Sequence, residues 1–125
     1  MNVTDLIEII NGKLLNKKVD LNLTVQGCGG ADLMSDVLAS LQPDAVLLTG
    51  LCNPQVVRTA MMADVTAIVL VRGKEPPQET ISLAENEGIP LISTPFGMFE
   101  ACGRLYQAGI QSYENPVTDG DCSCQ

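Results

Sequence analysis

Histidine is absent from the 125 residues. With it go Ser-His-Asp and Cys-His catalysis, His-based zinc hydrolase sites, facial-triad iron and His-ligated haem. Tryptophan is absent too, and two Phe and two Tyr are the whole aromatic complement. The core therefore has to be aliphatic, built from Leu, Ile, Val, Ala and Met. Basic residues are few: seven Lys and Arg face fifteen Asp and Glu, a net charge of −8. That balance argues against nucleic acid and anionic membranes, which both ask for a basic face. Long apolar runs are missing as well. The longest, Ala67-Ile68-Val69-Leu70-Val71, is far too short to cross a bilayer. The opening Met1-Asn2-Val3-Thr4-Asp5 has neither the positive segment nor the following apolar stretch of a signal peptide. A cytoplasmic location, with no membrane and no nucleic acid partner, is the expectation.

What is present suits one domain. Apolar residues make up 46% of the chain, enough for a core without disulfides or metal. Five cysteines are an odd number for a disulfide framework, and reduced thiols in a cytosol, of an anaerobe in particular, fit better.

Four apolar, β-branched runs recur: Leu23–Gln26, Ala45–Thr49, Ala67–Val71 and Pro90–Ser93. Their starts lie about 22 residues apart, room for a strand, a helix and two short loops. The central two are continuously apolar, the pattern of strands buried on both faces of a parallel sheet. Helix signals fill the gaps. An opening helix, Thr4 to Ile10, is capped by Thr4. A second runs from Asp32 to Leu41 with Leu33, Met34, Val37, Leu38 and Leu41 as its buried stripe. Asn53-Pro54 and Pro76-Pro77 open the next two, and Gly88 stops the latter. Thr94-Pro95 starts a last helix whose Phe96, Phe99, Cys102 and Tyr106 share one apolar face, and Gly109 ends it. Right-handed crossovers turn this order into an α/β fold, a three-layer α/β/α sandwich with a mainly parallel sheet. The domain is expected over residues 1–110. Residues 111–125, polar and carrying Asn115-Pro116 and Asp119-Gly120-Asp121, read as a mobile tail.

In an open α/β sheet, ligands bind where strands end and helices begin. Those ends place Gly29, Gly30, Gly50, Asn53, Arg72, Gly73, Thr94 and Gly97 as candidates for binding a small anionic ligand, through backbone amides, helix N-termini and the Arg72 charge. Gly27-Cys28-Gly29-Gly30-Ala31-Asp32 fails as a dinucleotide fingerprint, because Asp32 stands where glycine or alanine is needed and its carboxylate repels a pyrophosphate. Gly73-Lys74-Glu75 lacks the upstream glycine and the hydroxyl of a Walker loop. No catalytic residues and no cofactor are expected.

Cys28, Cys52 and Cys102 offer three thiolates to a metal, one fewer than an all-thiolate centre takes. Cys122 and Cys124 would have to fold back to complete it. The simpler expectation is no resident metal: Cys102 buried on the apolar face of the last helix, and Cys28 and Cys52 in loops and the more reactive.

Asp32–Ala39, Leu48-Thr49-Gly50, Ala67–Gly73, Glu87–Thr94 and Phe99–Leu105 together resemble the DRTGG domain, over about Val3 to Ile110. The run Glu87-Gly88-Ile89-Pro90-Leu91-Ile92-Ser93-Thr94 is the most specific part. The Asp-Arg-Thr-Gly-Gly run that names the family is missing, and Asp20–Thr24 stands where it would fall. The resemblance implies a fold like the N-terminal domains of HPr kinase/phosphorylase and the Mur ligases, and a regulatory or assembly role without catalysis. It also implies oligomers, and short relatives of this kind are associated with redox and hydrogenase systems of anaerobes. The expected protein is a non-catalytic regulatory, ligand-sensing or assembly module, a homodimer with a regulatory or redox protein partner. Val56 to Ala63, poor in charge, is the segment expected to meet the second copy. The alternative is a redox accessory protein holding a metal or Fe–S centre through its cysteines.

Overall fold

A computed structural model describes residues 1–116. In chain order the elements are α1 (Val3–Ile9), β1 (Lys13–Leu14), β2 (Gly27–Gly30), α2 (Met34–Ser40), β3 (Ala45–Thr49), α3 (Pro54–Met62), β4 (Ala67–Leu70), α4 (Gln78–Asn86), β5 (Leu91–Ser93), α5 (Met98–Gln107) and β6 (Gln111–Ser112). The strands form one sheet in the order β1-β5-β4-β3-β2-β6. Every neighbouring pair is parallel except β1 with β5. The expected three-layer α/β architecture with a mainly parallel sheet is therefore present.

The layers follow from residue alternation. β3 and β4 are buried along their whole length, so each strand must be apolar on both faces. Val46, Leu48, Val69 and Ile92 point to one side and join Val3, Leu6 and Ile10 of the α1 segment and Ala101 and Leu105 of α5. Leu47, Ile68, Leu70 and Leu91 point to the other and join Val37 of α2, Val56, Val57 and Ala60 of α3, and Ala84 of α4. The apolar face of α3 is thus spent on the sheet, which leaves Met61 and Met62 as its exposed large apolar residues.

Several expected elements shift. The strand placed at Leu23–Gln26 runs beside the N-terminus, through an isolated antiparallel bridge of Thr24 with Asn2, and the sheet strand begins at Gly27. Small residues are required there: a Cβ on Gly27 would strike the Tyr113 ring. The cap of α1 is Asn2, not Thr4. Its side chain accepts from the Asp5 amide, and Asp5 accepts from the Asn2 amide, each at 3.0 Å, a reciprocal capping box. In α2 only Val37 is buried, while Leu33 and Leu38 are exposed. Gly88 and Gly109 do follow α4 and α5 in the left-handed region, at φ 70° and 96°, as helix-terminating glycines do.

The sheet also continues past residue 110. Gln111 and Ser112 pair with Gly27 and Cys28. Beyond them the Gln42 amide donates to Tyr113 O and the Asn115 amide to Ser40 O, both at 2.8 Å. Residues 117–125, with Cys122 and Cys124, lie outside the described residues. No helix among the described residues is long and apolar enough to cross a membrane.

Candidate functional site

The carboxyl ends of the parallel strands carry two groups of candidate residues. The first lies at β2 and β3. Gly29 and Gly30 are not loop residues but lie within β2, paired with Leu47 and Leu48. Their smallness serves packing: a Cβ on Gly29 would collide with Leu41 and with Glu114, at 2.6 Å from Cγ, and one on Gly30 would sit 3.0 Å from the Met98 sulfur. Asp32 ends the turn that follows. Its Oδ1 accepts from the Gly50 amide at 2.7 Å and from the Thr49 hydroxyl at 3.1 Å. The chain's own carboxylate thus fills the anion position that Gly50 offers. Asn53 is exposed and stands at the N-cap of α3, with no side-chain capping bond.

The second group lies at β4 and β5, and here the structure brings Arg72, Gly73, Thr94 and Gly97 together. Thr94 is fully buried and serves as the anchor. Its hydroxyl donates to Ile10 O at 2.7 Å and accepts from the Phe96 amide at 3.3 Å. The Arg72 amide donates to Phe96 O and the Gly73 amide to Thr94 O, both at 2.7 Å, so the two loops are tied backbone to backbone. Arg72 takes a left-handed backbone, φ 67°, which is costly for a residue with a Cβ. The turn presents its guanidinium beside Gly97, where a Cβ would come within 3.6 Å of Cζ. Gly97 is the N-cap of α5, again with no side-chain capping bond. Arg72 and Lys74 are exposed and form no ion pair among the described residues.

A separate cleft of about 130 Å³ opens between β2, β6 and α5, lined among others by Cys28, Gly30, Cys102, Tyr106 and Glu114. Glu114 Oε2 accepts from the Gly30 amide at 2.8 Å. Cys28 sits in β2, not in a loop, and burial, with Cys102 beside it, pushes its thiol up to about 12. Cys102 is raised by burial and then by the Glu114 charge. Both thiols are half-buried and pack against the α1/α5 side of the core, whereas Cys52 packs on the opposite side. Among the described residues no three His, Cys, Asp or Glu side chains gather as a metal site. No local signal in the sequence marks this cleft, because Cys102 reaches β2 through the packing of α5 over that strand and Glu114 through the return of β6 to its edge.

Comparison with known proteins fits this architecture. The DRTGG domain model matches residues 5–108. Among solved structures, the CBS and DRTGG domains of the regulatory region of Clostridium perfringens pyrophosphatase, complexed with the activator diadenosine tetraphosphate, superpose with a TM-score of 0.69 at 14% identity. The match covers 94% of this chain and 51% of that one, so this chain spans about half its length. No curated protein matches in sequence. With its model matched over nearly the whole described length, the chain belongs to the DRTGG domain family.

Proposed function

We propose that this chain is a non-catalytic regulatory module of the cytoplasm that senses a small anionic ligand, of the nucleotide class, at the carboxyl ends of β4 and β5. The observation that carries this reading is the turn that holds Arg72. In a chain of net charge −8, an exposed arginine is kept in a costly backbone conformation beside the N-terminus of α5, with Lys74 two residues on. Two cations and the amides of a helix N-terminus suit phosphate oxygens. Gly73 and Gly97 supply close backbone approach, and Thr94 holds both loops from below. The β3 end contributes less, since Gly50 already serves Asp32.

Membership in the DRTGG family supports a regulatory role over a cysteine-held metal or Fe–S centre. The pyrophosphatase regulatory region, solved with a dinucleotide activator, makes diadenosine tetraphosphate and simpler nucleotides the first compounds to try. The module is further read as a homodimer serving a regulatory or redox partner.

The test is a nucleotide titration followed by amide shifts and calorimetry. Shifts are expected at Arg72, Gly73, Lys74 and Gly97. Arg72→Gly, which keeps the left-handed turn without strain, should weaken binding about 10- to 100-fold, as for a lost charged hydrogen bond. Shifts confined to the amino ends of the strands or to the Cys28 cleft would show that the site is misplaced.

A further inference from the structure

Helix α5 carries two apolar stripes; the fold buries one and takes only the half-buried Cys102 from the other. Ala101 and Leu105 are buried, and Met98 packs on the same core. The second stripe, Phe99, Cys102, Gly103 and Tyr106, follows the i, i+3, i+4, i+7 spacing of a single helix face. On it Phe99 is 94% exposed and Tyr106 75% exposed. They are the most exposed large apolar residues among those described. Between them, a Cβ placed on Gly103 would meet nothing within 4 Å. Nothing in the fold asks for glycine there, and glycine inside an exposed helix weakens it. Glu100 and Arg104 flank the stripe on one side, joined at 2.7 Å.

We infer that this outer face of α5 is the contact surface between two copies of the chain, with the two helices crossing antiparallel at Gly103 about a two-fold axis. The stripe is symmetric about the Cys102–Gly103 midpoint. A two-fold crossing there sets Phe99 against the partner's Tyr106, twice, and lets the backbones approach at the glycine. The same operation brings the charged flank of one helix to the charged flank of the other, with Glu100 beside the partner's Arg104. Charge and shape are thus self-complementary, as an isologous contact requires, and the helix dipoles oppose. The four rings can cover roughly 600–1,000 Å² at about 150–250 Å² each. With their surroundings that approaches the low end of specific interfaces, about 1,200 Å², which points to a dimer of micromolar strength. The inference rests on the homodimer part of the proposed function and is independent of the ligand.

Sedimentation velocity of the full chain across the micromolar range tests it. The unsubstituted chain should dimerise. Phe99→Ser and Tyr106→Ser should each raise the dimer dissociation constant about 30-fold or more, as for a truncated aromatic anchor. Gly103→Leu should give a monomer that melts no lower than the parent, which separates contact from folding. Glu100→Arg and Arg104→Glu should each dimerise poorly alone and pair when mixed, a rescue specific to the antiparallel crossing. A monomeric parent chain would overturn homodimerisation itself. A dimer indifferent to Gly103→Leu would overturn the α5 face alone, and failure of the mixed pair would overturn the crossing. A parent chain that is monomeric whole but dimerises once residues 117–125 are removed would instead assign the face to the chain's own end, and would overturn the proposal in that way.

Discussion

Cys28 should be the slow thiol of this protein, although glycines surround it in sequence. The strand that carries it packs under α5, and its sulfur is deprived of water and set beside Cys102, which together move its pKa from 9.0 to about 12. Near pH 8 that change lowers the thiolate fraction about 1,000-fold relative to an ordinary thiol. The thiolate that does form is the stronger nucleophile, by about 16- to 32-fold for a Brønsted slope of roughly 0.4–0.5. The net expectation is alkylation about 30- to 60-fold slower than a small reference thiol. A timed reaction with iodoacetamide at pH 8, read peptide by peptide by mass spectrometry with N-acetylcysteine as internal reference, measures it. Adding denaturant should erase the difference. The rate should also keep rising tenfold per pH unit up to about pH 10, without the plateau of a thiol titrating near 9. Native-state alkylation of Cys28 within about threefold of the reference would refute the burial argument.

Two further outcomes are expected, one at the β5 edge and one at Cys28. Asn16 is buried, donates to Ile89 O at 2.8 Å and accepts from the Leu91 amide at 3.1 Å. Asn16→Ala strands both backbone groups and should lower unfolding stability by about 2–4 kcal/mol, measured by urea denaturation; a loss below about 0.5 kcal/mol would contradict it. The pH dependence has a definite sign. The Cys28 thiol titrates higher when folded than unfolded, so its contribution is complete below about pH 9 and is lost as pH rises toward about 12. The denaturation midpoint of the parent chain should therefore fall more steeply between pH 9 and 11 than that of Cys28→Ala.

How far the sequence shows this protein depends on where burial coincides with apolar composition. β3 and β4 are continuous apolar runs because both faces are covered, and they are found where such runs predict strands. β2 is the opposite case. Gly27-Cys28-Gly29-Gly30 has no β-propensity, and its four residues are strand because Tyr113, Leu41, Glu114 and Met98 close over them and leave room for almost nothing else. That constraint comes from residues about ten to ninety positions away and leaves no local signal. The two-residue β6 is polar and edge-bound, so alternation cannot reveal it.

The last helix shows a deeper ambiguity. Its sequence holds two apolar stripes, and the aromatic one is the more conspicuous. The fold buries the other, Ala101 and Leu105, which pack with Val46, Leu48 and Val69 of the sheet, while the glycine-rich β2 beside them admits only Cys28 and the Met98 and Cys102 side chains over Gly30. Hydrophobicity alone ranks stripes by size, whereas a core selects them by the room available. Arg104 lies over the Phe96 ring at 4.2 Å, so Phe96 is drawn back onto the domain while Phe99, three residues later, is left in the open. The candidate site divides in the same way. The strand-end logic located Arg72, Gly73 and Gly97 from their place after β4 and β5. Nothing local in the sequence shows that Asp32 reaches Gly50 across the end of the sheet, or that Thr94 spends its hydroxyl on Ile10. Both are contacts between separate internal segments that the packing of the elements brings together. The acidic residue that rules out a dinucleotide fingerprint in the sequence is the same one that occupies a strand-end amide in the fold, and this is why the proposed anion site is placed at the two cations after β4.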